Sequence, residues 1–112
     1  MDRLKRFEVP LTNEDRYAVE MTIRGGGLVA FVVRYDAFIN GKWRDIATFD
    51  NHGGTVHWHL SDPITGKGEK KTIPLDLRAA PTYAIGMIQE HWQVWRSRYE
   101  RRLPSDEHPT LF

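Results

Sequence analysis

The sequence contains no cysteine. That absence excludes a disulfide framework, any thiolate metal site and any cysteine nucleophile. A charge excess of one sign is missing too. Sixteen lysines and arginines stand against fifteen aspartates and glutamates, and a net +1 gives no global signal for nucleic acid or membrane. The longest apolar run, Leu28 to Val33, is far short of the ~20 residues that span a bilayer. Met1 to Arg6 lacks the apolar stretch of a secretion signal, so the expected location is cytoplasmic, with no membrane association. What is present is a chain of 112 residues, 40% of them hydrophobic, enough for one domain with its own core.

Residues 1–15 are mixed and charged and read as an N-terminal arm. Arg16 to Ile23 alternates, with Tyr17, Val19, Met21 and Ile23 on one face, the period of a half-buried strand. Gly25-Gly26-Gly27 lacks the Gly-Lys-Ser/Thr that a phosphate-binding loop requires and reads as a hairpin turn or bulge. A second strand begins at Leu28. Asn40-Gly41 is a strong type I′ hairpin signal. Trp43 to Asp50 reads as a third strand with Trp43, Ala47 and Phe49 on one face, and Thr55 to Leu60 as a fourth. Glu69 to Leu75 fits a short edge strand, blunted by Lys70, Lys71 and Pro74.

From Ala79 the apolar period becomes helical. Ala84, Ile85, Ile88, Trp92, Trp95 and Tyr99 form one stripe that ends near Leu103, before Pro104. The expected fold is a two-layer α+β domain over 16–103. An antiparallel meander of four to five strands is covered by one long C-terminal helix, with a tail at 104–112. Trp58 and Trp92 are expected in the core between the layers.

The residues richest in chemistry lie between Asp50 and His59. His57 and His59 are two apart on a strand and so share a face, opposite Val56, Trp58 and Leu60. Asp50 and His52 stand across a short turn. Three readings fit this strip. Asp50, His57 and His59 could be catalytic, acting as metal-independent acid and base around a phosphodiester, with Arg34, Arg44 or Lys67 offsetting phosphate charge. The pair His57/His59 could instead hold a divalent metal, the one cofactor the pattern admits. Or the histidines could be structural. A second feature is the helix end, where Arg96, Arg98, Arg101 and Arg102 suit either the macrodipole or a partner-binding face.

Val33 to Trp43, then Phe49-Asp50-Asn51-His52 and His57-Trp58-His59, resemble small prokaryotic proteins similar to TumE-type toxins of toxin–antitoxin pairs. The match covers about residues 28–60. The resemblance implies a growth-inhibiting protein acting on RNA, with an antitoxin-like protein partner, and carries over Asp50, His57 and His59. The alternative expectation, from a different class, is a non-enzymatic interaction module that forms a homodimer or binds a protein partner.

Overall fold

The structure, a computed structural model, describes residues 2–66 and 68–107. Six strands follow one another as β1 (Asp2–Thr12), β2 (Asp15–Arg24), β3 (Gly27–Ile39), β4 (Lys42–Asp50), β5 (His57–Leu60) and β6 (Lys70–Thr72). The helix α1 (Ala80–Arg101) comes last. The strands lie in the sheet in chain order and every neighbouring pair is antiparallel. The α+β meander with one covering helix is therefore as expected, with one strand more.

The extra strand is β1, which occupies most of the segment expected as an arm. Phe7, Val9 and Leu11 alternate with Arg6, Glu8 and Pro10, the same period of two as in β2, and they pair in register from Asp2↔Arg24 to Pro10↔Arg16. Short turns join the long strands. Asn40 and Gly41 both have positive φ, 52° and 81°, the left-handed backbone a type I′ turn demands, and Gly25-Gly26 does the same between β2 and β3. The triple glycine thus closes a hairpin.

The helix lies over β2, β3 and β4. Its Ala84, Ile88, Trp95 and Tyr99 are buried against Tyr17, Val19, Val33, Tyr35, Ala47 and Phe49. Phe49 stacks on Trp58 with centroids 5.5 Å apart, and Trp95 tilts against both rings. Trp95, 7% exposed, is the deep tryptophan of the helix, while Trp92 and Trp58 are only partly buried. Pro81 sits in the first turn of α1, where its missing N–H has no helical partner to lose.

One irregularity redistributes side chains. Tyr35 pairs with Ala47 but Asp36 pairs with Asp45, so Ile46 is a bulge with no partner on β3. Ile46 is 1% exposed and joins the core. The extra residue reverses the alternation before it. Trp43 therefore does not share a face with Ala47 and Phe49, as strict alternation predicts. It lies on the face away from the helix, packed edge-on against Phe38 and under the Arg16 guanidinium at 3.9 Å. Arg44 is turned to the helix side.

The chain beyond the helix folds back. Ser105–Glu107 forms a short 3-10 turn in the segment expected as a tail. The Arg44 guanidinium donates to the Glu107 carboxylate and to the Ile39 carbonyl, the latter at 3.2 Å.

Candidate functional site

The face opposite the helix carries the predicted strip. Asp50 pairs with His57 and Thr48 with His59 across β4 and β5, so Asp50, His57 and His59 do project on one side. Their environments differ. His57 is 5% exposed. Its Nε2 lies 2.9 Å from the carbonyl of His52 and 3.2 Å from Asp50 Oδ1. A carbonyl can only accept, so Nε2 carries the hydrogen. Asp50 Oδ1 also accepts from the His52 N–H at 3.0 Å. Aspartate and imidazole together hold the 3-10 turn His52–Gly54 over the end of the sheet. The second ring nitrogen, Nδ1, is buried with no hydrogen-bond partner among the described residues. Neither ring nitrogen of His57 is thus presented to solvent, as a proton-transferring group requires.

His59 is more open. It sits in a row with Thr48 and Arg34, and beside it lie two facing carboxylates, Asp36 and Asp45. Asp36 is 4% exposed and is gripped by Arg34 in a fork, with distances of 2.8 and 3.2 Å, and approached by Arg16 at 3.5 Å. The Thr48 hydroxyl reaches both oxygens of Asp45 at 2.9 Å. Asp45 itself is exposed. The protein around its carboxyl still displaces enough water to raise its pKa above the ordinary value, and the Asp36 carboxylate adds to the rise against the pull of Thr48, Arg34 and His59.

The candidate phosphate ligands do not assemble. Arg34 is on the open face but committed to Asp36. Arg44 is on the opposite face, 9% exposed and held by Glu107 and Ile39, because the Ile46 bulge turned it there. Lys67 lies outside the described residues. Among the described residues no group of three or more histidines and carboxylates is placed to hold a metal ion, so the strip supplies no ligand set for the divalent metal that His-x-His spacing admits.

The helix arginines divide. Arg96 turns inward, donating to Asp15 at 2.9 Å, to Glu14 at 3.2 Å and to the Phe38 carbonyl at 3.1 Å. Asp15 also accepts from the Tyr35 hydroxyl at 2.6 Å, and it joins burial in pushing the Tyr35 phenol upward. Arg102 reaches Asp62, whose carboxyl also caps the backbone of Ile64 and Thr65. Two members of the cationic cluster therefore fasten the helix to the sheet and to the loop after β5. Sequence reading missed this use of Arg96, since the partner on β2 lies 81 positions away.

The model of a domain of unknown function, DUF7718, matches residues 1–104. The chain belongs to this family. Its matched span takes in β1, the whole sheet and α1, so the segment expected as an arm is part of the DUF7718 domain. Nothing among curated proteins matches the chain, and no solved structure does.

Proposed function

We propose that this DUF7718 domain is a non-enzymatic interaction module that binds another protein chain by strand addition at β1. One observation carries the reading. The 11-residue β1 ends the sheet, its residues 2–8 are exposed, and Leu4 and Phe7 are 48% and 37% exposed beside a backbone edge that is unpaired among the described residues. A long edge strand with apolar side chains is a template for a further strand. The opposite edge, β6, has three exposed residues, two of them lysines. A photo-crosslinking side chain at Leu4, used in the cells that make the protein, is expected to give an adduct with an identifiable protein chain. The same group at Val94, on the outer face of the helix, is expected to give none. Absence of an adduct from Leu4, or equal adducts from both, sinks the reading.

A second reading, action on RNA as the toxin resemblance implies, draws on His59 and Arg34 lying in one row of the open face. It expects growth inhibition or RNA cleavage that is lost in His59→Ala. Cleavage unchanged in His59→Ala and in Asp50→Asn would end it.

A further inference from the structure

The backbone of β1 determines which of its residues can bond outward. The Phe38 N–H donates to the Glu14 carbonyl at 2.8 Å, so the even-numbered residues at this end of β2 turn their backbone groups towards β3. Antiparallel pairs alternate between bonded and non-bonded. The pairs Pro10↔Arg16, Glu8↔Ala18, Arg6↔Glu20 and Leu4↔Thr22 are then the non-bonded ones between β1 and β2. Leu4, Arg6 and Glu8 consequently direct N–H and C=O to the free edge, while Pro10, which has no N–H, removes no bond from the ladder to β2.

Taking β1 as the strand-adding edge, as proposed above, we infer that its partner is a second copy of the same chain, paired antiparallel across a two-fold axis at Phe7. Charge and the length of ladder formed select this register: an axis at Leu4 sets Arg3 against Lys5, and one at Val9 pairs only residues 6–12 of β1. An axis at Lys5, Arg6 or Glu8 sets that residue against its own copy, like charge on like. With the axis at Phe7, Arg6 faces Glu8 of the second copy and Glu8 faces its Arg6, both in hydrogen-bonded positions. Leu4 faces Pro10, Lys5 faces Val9, and the two Phe7 rings meet on the side that carries the helix. Opposite charges directly across a ladder are favourable and like charges are not. The side chains are free to respond, because Arg6 and Glu8 are themselves exposed, and their ion pairs among the described residues are to exposed Glu20 at 3.3 Å and to partly buried Arg16 at 3.7 Å. The axis also covers the two exposed apolar side chains of β1, Leu4 and Phe7.

Sedimentation of the purified full chain tests the register. The wild type is expected to be a dimer. Arg6→Glu alone and Glu8→Arg alone are each expected to weaken association by about tenfold or more while circular dichroism stays unchanged. Mixed together, the two variants are expected to form a heterodimer, since every facing pair is then of opposite charge. In this cysteine-free chain, Phe7→Cys is expected to give a disulfide-linked dimer on oxidation and Val9→Cys is not. A wild type that sediments as a monomer at high concentration overturns the inference, as do single variants that dimerise normally or a mixture that does not associate. A monomeric wild type that still crosslinks a different protein from Leu4 overturns self-pairing and leaves strand addition standing.

Discussion

At the scale of single residues, the polar groups of this domain act mainly as fasteners. Arg96 holds Asp15, only 3% exposed, and removing one member of a buried ion pair leaves the other charged and unpaired. Arg96→Ala is therefore expected to lower unfolding free energy by about 3 kcal/mol in urea titrations. Arg96→Lys should recover only part of it, because an ammonium cannot reach Asp15, Glu14 and Phe38 as the fork does. Asp45 behaves in the opposite sense. Its folded pKa is raised, so the folded state holds that proton to higher pH than the unfolded chain does. The contribution to stability is present below the unfolded value and lost as pH rises through the folded one. Asp45→Asn, which still accepts from Thr48, is expected to raise the urea midpoint at neutral pH, with the gain vanishing near pH ~3, where both carboxyls are protonated. His57 carries a lesson of its own. Spacing placed it on the correct face, yet its Nε2 is taken up by the His52 carbonyl of the 3-10 turn and by Asp50, and no pattern of period two contains that turn.

At the scale of elements, the helix and the strands whose side chains alternate or run apolar were legible because burial writes its period into the sequence. The stripe from Ala84 to Tyr99 is the buried face of α1. Ile88→Ala is expected to cost about 2–5 kcal/mol and Trp95→Ala about 3–5 kcal/mol, since each empties a closed site, whereas Val94→Ala, 63% exposed, should stay within about 0.5 kcal/mol. Equal losses at Val94 and Ile88 would show the helix to be rotated. Two elements escaped sequence reading for physical reasons. Strand β1 is mostly exposed, so few of its positions need apolar residues and its charges look like those of a tail. The bulge at Ile46 adds one residue to one strand alone, and strict alternation then assigns Trp43 and Arg44 to each other's faces. That single residue removed Arg44 from the candidate phosphate ligands.

At the scale of the whole molecule, the sheet extends beyond the layer that covers it. The helix shelters β2 to β4, while β1 is paired on one side only among the described residues. Amide exchange followed by mass spectrometry is expected to be slowest in β3 and β4, beneath α1, and faster at Leu4, Arg6 and Glu8 unless a second strand is added. Slow exchange throughout β1 at high dilution would contradict that gradient. The molecule is also long, 56 × 26 × 23 Å, with a radius of gyration of 15.2 Å where a compact chain of this length has about 13 Å. A rod of this shape tumbles and diffuses like a heavier sphere. On a gel-filtration column calibrated with globular standards, a single copy elutes ahead of its true mass, so its mass has to be read from sedimentation equilibrium or light scattering, which are blind to shape.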